Sequence, residues 1–265
     1  MTTEDVLFDH LGPRAHRRIR TVTLWTAAGI AGVVAVVLAQ LSAAGQLDPV
    51  RWRVFTEWDY QRFLLDGFVS TLRAGAVAVV LSLPLGTVLG LMRLSRRWWI
   101  AAPATAAIEF LRSIPLILLI YFFLLGLPAA GVVLPTFWQL TVPIVLHAGA
   151  VFAEIVRAGV LSLDRGQVDA GYAIGLTHTR TTTLIVLPQV LRSLRPALVS
   201  QVVRVIKETS LGYVVSYPEL LYSGKILGEF TGDFLQAYIG VAVLFVAVNI
   251  ALSQLAEYLD RRSKT

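Results

Sequence analysis

From Thr21 to Gln40 the chain carries no charged side chain, and long apolar runs recur near residues 68–94, 103–127, 137–161, 191–215 and 234–258. About 18 or more predominantly apolar residues suffice to cross the hydrocarbon core of a bilayer as one helix. Lipid offers no water to backbone groups, so such segments must satisfy their own hydrogen bonds as helices. Only 15% of the chain is charged, against roughly a quarter in soluble domains. The runs predict an all-α, polytopic membrane protein with about six transmembrane helices.

The first run follows Arg14, Arg17, Arg18 and Arg20 and precedes "SAAG" at Ser42. A cleaved signal peptide is the rival reading, but its apolar core ordinarily spans only about 7–15 residues. A retained anchor is expected. The polar stretch "GQLDPVRWRVFTEWDYQRFLLDG" mixes tryptophan and tyrosine with charge, as segments lying at the membrane interface do. The second run holds Gly86 and Gly90, a spacing that lets another helix approach closely.

The formal charge is +6, yet the basic residues cluster beside apolar runs, at Arg14 to Arg20, Arg93 to Arg97 and Arg261 to Lys264. That is the positive-inside pattern, not a nucleic-acid surface, and no nucleic-acid partner is expected. It predicts cytoplasmic N- and C-termini in a multi-pass membrane protein. The 217–233 link then faces outward and the loop with Arg165 and Arg180 faces inward. The chain contains no cysteine, which excludes disulfides and thiolate chemistry.

That inward loop contains "DAGYAIGLTHTRTTTLIVLPQ", Asp169 to Gln189. A short helix is expected from Gly166 to Leu176, with Asp169 near its positive end, Gly171 and Gly175 allowing close approach, and Val168, Tyr172 and Leu176 forming an apolar stripe. Pro188 is expected to hold Leu187 extended. The residues alone fit either a helix docking into a partner's groove or an amphipathic linker on the bilayer.

Gly166, Gln167, Asp169-Ala170-Gly171, Gly175 and Ile185-x-Leu187-Pro188 resemble the "EAA" loop of ABC importer permeases. "DGFVSTLRAGAVAVVLSLPLGTVLGLMRLS", "EFLRSIPLILLIYFFLLGLP", "AVFAEIVRAGVLSLDRGQ" and "RVIKETSLGYVVSYPELL" are similar, in the same order, to the polar amino acid branch of that family. The extra first span and "QLDPVRW" look most like permeases of glutamate importers. The resemblance implies a five-helix permease core at 67–258, preceded by an N-terminal region 1–66 and followed by a cytoplasmic tail 259–265. Its coupling loop, about 163–188, would seat Asp169, Ala170, Gly171, Gly175, Leu176, Leu187 and Pro188 against a cytoplasmic ATPase dimer. It further implies a second permease subunit, the same or related, and an extracytoplasmic binding protein. Two of the three name-giving positions differ, since Asp-Ala-Gly stands for Glu-Ala-Ala.

Charges inside spans are costly and usually face partners or a water-filled path. Arg204 and Glu208 are spaced to pair within the fifth span, leaving Lys207, Thr209 and Ser210 toward a path. Lys207, Glu208, Thr209 and Ser210 are therefore candidate path residues, against a purely structural ion pair. Glu154 and His147 share a helix face and are further candidates, although Glu154 could instead pair with Arg157. Glu109 and Arg112, ahead of Pro115, fit a path or an interface ion pair.

No second histidine has a metal-ligand spacing, and catalytic motifs are absent. Gly224-Lys225 is followed by Ile226 and does not make a phosphate-binding loop. The chain is expected to be no enzyme, to hold no cofactor and to leave ATP and Mg to the partner ATPase. An ion-coupled secondary transporter shares the spans but has no use for a docking loop. A scaffold or receptor that moves nothing is the remaining alternative.

Overall fold

In the computed structural model, residues 13–262 are described, with side chains for residues 17–254. The side chains of Arg14 and of Arg261 to Lys264 lie outside the described residues. The chain divides into two compact units, Met1–Arg53 and Val54–Thr265. In the first, α1 (Pro13–Ala43) covers the expected first span and is exposed over residues 17–40. It ends in a turn where Trp52 donates its indole N–H to the Gln46 carbonyl at 3.1 Å.

Every regular element among the described residues of the second unit is a helix. α2 (Trp58–Arg93) leads to α3 (Trp98–Ser113), then α4 (Leu116–Tyr121), a π turn at Phe122–Gly126, and α5 (Leu127–Ala129). α6 (Thr136–Ser162) is followed by α7 (Arg165–Ala173), α8 (His178–Thr181), a second π turn at Thr182–Val186, and α9 (Leu187–Ser193). α10 (Arg195–Glu208), a 3-10 segment at Thr209–Val215, α11 (Leu220–Thr231) and α12 (Phe234–Arg262) complete it. α2 begins ten residues before the expected Phe68, because the aromatic and charged "WDYQRFLLDG" stays helical as its first turns.

Four helices among the described residues are long and apolar enough to span a bilayer, or five if the bent pair α3 and 116–129 counts as one span. The bend is 98° and falls at Ile114-Pro115, where Ile114 is extended with ψ 127°, as steric conflict with a following proline demands. The expected span at 191–215 does not pass as one apolar helix. It divides at Leu194 and again at Thr209, where α geometry tightens to 3-10, and α10 carries a polar face. By length and composition alone the described residues thus give four to five candidate spans, against the six read from the sequence.

The core forms where α2, α4, α6 and α10 meet, around Ala74, Ala78, Ile120, Ile144, Phe152 and Val205. Gly86 and Gly90 do what their spacing predicts: a Cβ on Gly90 would lie 2.8 Å from the Ala153 carbonyl, and one on Gly86 2.7 Å from that of Gly149. The backbones of α2 and α6 thus touch directly, a contact that favours small residues. A second cluster joins Leu64 of α2 to Leu220 and Leu227 of α11 and Val241 of α12.

Candidate coupling and transport site

α7 is a short helix defined at both ends by its own residues. The Asp164 carboxylate accepts from the Gly166 N–H at 2.7 Å and caps the start. At the end, Gly175 N–H donates to Tyr172 O at 2.9 Å and Leu176 N–H to Gly171 O at 3.1 Å, the paired bonds of a Schellman termination. Gly175 takes φ +82°, a left-handed conformation that glycine adopts without a Cβ penalty.

Three expectations about this loop are corrected. Asp169 is mid-helix rather than near the start, because the cap is Asp164 and no acid occupies the first turn. Gly175 and Leu176 lie beyond the helix, so Gly175 ends it and does not serve close approach. Gly171 does permit close approach, but to this chain: a Cβ there would lie 2.5 Å from Thr181 Cγ2 and 3.1 Å from Ile185 Cδ1. Half-buried Val168 and Tyr172 flank it, and the Tyr172 hydroxyl is 2.7 Å from His178 Nδ1. The apolar stripe is turned toward α8 and the π turn, leaving Asp169, Ala170, Ala173 and Ile174 exposed. Ile174, 73% exposed, is the large apolar side chain of that outer face, and sequence reading missed it.

Leu187 is also corrected. Its φ −59° and ψ −43° are helical, not extended. A proline ring collides with the carbonyl four residues back in a regular helix. The π turn at Thr182–Val186 widens the spiral, with Leu187 N–H bonding Thr182 O, and so admits Pro188. The same solution stands at Leu127-Pro128, after the π turn at Phe122–Gly126.

In α10, Arg204 and Lys207 are exposed on one side of the helix. No ion pair joins Arg204 to Glu208 among the described residues, and Glu208 Oε2 is buried without a hydrogen-bond partner. Thr209 is fully buried and donates to Ile206 O at 2.6 Å, while Ser210 donates to Lys207 O at 2.8 Å. Both hydroxyls are thus spent on the helix end where it tightens, and among the described residues Arg204 and Lys207 are the exposed cations of this face, neither in an ion pair.

Glu154 sits among three guanidiniums. Arg93 of α2 bonds its Oε1, Arg157 of α6 lies 3.2 Å from Oε2, and Arg112 of α3 lies 3.8 Å from the same oxygen. Arg93 also holds Glu109 at 2.9 Å. The expected Glu109–Arg112 neighbours are therefore shared out to other helices, and the ends of α2 and α3 are joined to α6 through one carboxylate. His147 Nδ1 is 3.1 Å from Leu111 O, a link from α6 to α3. No group of three or more metal-ligating side chains occurs among the described residues.

Residues 82–265 match the family described as binding-protein-dependent transport system inner membrane component. A glutamate transport system permease protein of Corynebacterium glutamicum is 34% identical over 230 residues, covering 84% of this chain and 83% of that protein. A Bacillus subtilis protein described as "Probable glutamine ABC transporter permease protein" is 32% identical, covering 77% of this chain and 95% of its own length. Among solved structures, an amino acid ABC transporter superposes with a TM-score of 0.73 at 26% identity, covering 78% of this chain and 97% of that one. The capped α7 after α6, the broken spans and these likenesses agree: the chain belongs to the binding-protein-dependent inner membrane transport components, the permeases of ABC importers.

Proposed function

We propose that this permease carries a polar amino acid of the glutamine or glutamate type, driven by a separate ATPase that seats on α7. The observation that carries the reading is α7 itself, a helix capped at both ends, turned inward by its apolar side and presenting Ala170, Ala173 and Ile174 outward. An exposed isoleucine beside two alanines is suited to a shallow cleft on another protein. Asp169 lies on the same face, available to a basic residue of the partner. The names of the relatives support the substrate class.

Arg204 and Lys207 are the side chains we assign to the translocation path, where an ammonium and a guanidinium attract substrate carboxylates. A second permease subunit would complete the path, and an extracytoplasmic binding protein would deliver substrate. The basic clusters support cytoplasmic termini and an inward α7. The chain itself supplies no hydrolytic chemistry.

The test is uptake in proteoliposomes containing the permease with its ATPase and binding protein. Ile174→Asp should abolish ATP-driven uptake while leaving the permease folded, and wild-type uptake in this variant would overturn the docking role. Uptake by the chain alone under a sodium or proton gradient would favour ion coupling instead.

A further inference from the structure

Outside the path and the coupling loop lies a polar cluster with no part in either. Lys225 of α11 holds its Nζ 5.4 Å from the Tyr213 ring centroid and 5.8 Å from that of Tyr222. The two rings meet edge to face at 6.3 Å and 71°. Glu229, one turn along α11, is 3.6 Å from the same ammonium. Behind them Gly224 lets α11 press against α12, where a Cβ would collide with Val241 and lie 3.8 Å from Tyr238. That close approach brings Tyr238 of α12 within electrostatic reach of Lys225, Glu229 and Tyr213.

Stability alone does not account for the arrangement. The pair runs lysine-then-glutamate, the less favourable order at i, i+4, and its side chains are 33% and 50% exposed. The four groups match something else: the parts of a free amino acid. A carboxylate needs a cation, and an α-ammonium needs a carboxylate and aromatic faces. We propose that Tyr213, Tyr222, Lys225 and Glu229 form a receiving site for the zwitterionic end of an amino acid, ahead of the path at Lys207. Lys225 turns to the substrate's carboxylate, and Glu229 with the two rings takes the substrate's own α-ammonium in its place. Tyr213 lies on the 3-10 segment continuing α10, about 11 Å along the axis from Lys207. The two stations therefore lie on consecutive helical segments, joined at Thr209. This rests on the 217–233 link facing outward.

Uptake of labelled glutamine and glutamate by the reconstituted importer, permease with ATPase and binding protein, tests it. Lys225→Met and Tyr213→Leu should each slow uptake about tenfold, the worth of a partly desolvated cation contact. Lys225→Arg should retain most of it, and capture of the loaded binding protein should be unchanged in all three. Glu229→Gln, at an exposed position, gives the same loss without risk to folding. Normal uptake in both Lys225→Met and Glu229→Gln overturns the site. Equal loss of uptake and of binding-protein capture also overturns it, making the cluster a landing surface. Lys207→Met serves as the control: if it alone abolishes uptake, the receiving site fails while the path reading stands. Labelling of Lys225→Cys from the cytoplasmic side would instead sink the topology on which both stand.

Discussion

Arg93 and Glu154, 61 residues apart in the chain, join α2 to α6 at the end of the seam that Gly86 and Gly90 open. Both side chains are about four-fifths buried, so neither charge is left to water. Removing one partner of a buried pair costs about 3–5 kcal/mol, and the residual exposure here brings the expectation to about 2–4 kcal/mol. Glu154→Gln should therefore lower the unfolding midpoint in detergent markedly. Adding Arg93→Met should cost less than the sum of the two single changes, as residues in one network do. Additive losses would mean that the contact is incidental.

Gly171 has no room for a methyl group while Thr181 keeps its own. Gly171→Ala should push α7 off α8 and weaken ATP-driven uptake, at a cost of about 1–3 kcal/mol in the loop. The Thr181 hydroxyl is buried without a hydrogen-bond partner, so Thr181→Ala alone should be nearly silent. Combined with Gly171→Ala it should restore uptake. Failure of the second change to rescue the first would remove the steric explanation.

Gly175 makes a separate prediction at the other end of α7. An alanine at φ +82° pays about 1–2 kcal/mol, whereas asparagine tolerates the left-handed region better. Gly175→Ala should raise the protease sensitivity of the loop, and Gly175→Asn should do so less. Equal sensitivity of the two variants would contradict a role confined to backbone conformation.

Glu219 caps α11 with both carboxylate oxygens, accepting from Leu221 and Tyr222 N–H at 2.8 Å each. Burial pushes its pKa up from 4.5 to about 7, and those two bonds only partly oppose the rise. The folded state therefore holds this proton more tightly than the unfolded chain. Its stabilising contribution is full below about pH 4.5 and is lost as pH rises through about 7. Unfolding midpoints in detergent should fall between pH 5 and pH 8, and Glu219→Gln should flatten that slope. A slope unchanged by the substitution would assign the pH dependence to other groups.

The absence of cysteine makes topology directly measurable. Ala173→Cys should react with an impermeant maleimide only from the cytoplasmic side, and Phe230→Cys, on an exposed α11 position, only from the outside. Labelling of both from one side would reverse the inferred arrangement of the links.

Local rules read this chain well where one residue decides the outcome. Ile114 obeys the constraint of a following proline and bends the third span, and the Gly86 and Gly90 pair marks a close helix seam. The same proline rule fails at Leu187 and Leu127, which are helical, each behind a π turn that eases the ring past the carbonyl four residues back. The loop glycines look alike in sequence but divide their work, Gly171 serving packing and Gly175 serving chain reversal. Spacing within the third span pointed to Glu109 with Arg112, yet Arg93 and Glu154 claim them across the bundle. Such long-range exchange of partners leaves no local periodicity to detect. The fifth span misled for a related reason: its apolar residues face the core while Arg204 and Lys207 stay exposed, so hydrophobicity alone does not delimit it.

Between the last residue of α6 and the first of α7 stand only Leu163 and Asp164, at ψ 141° and 129°. Both are already extended, and an extended residue spans at most about 3.3–3.6 Å. The joint has no slack to take up. A displacement of α7 away from α6 must drag the end of α6 with it, and Arg93 and Arg112 then tow α2 and α3. A longer, glycine-rich hinge here would let the two helices slip past each other, whereas this taut one passes a pull on α7 directly to α6.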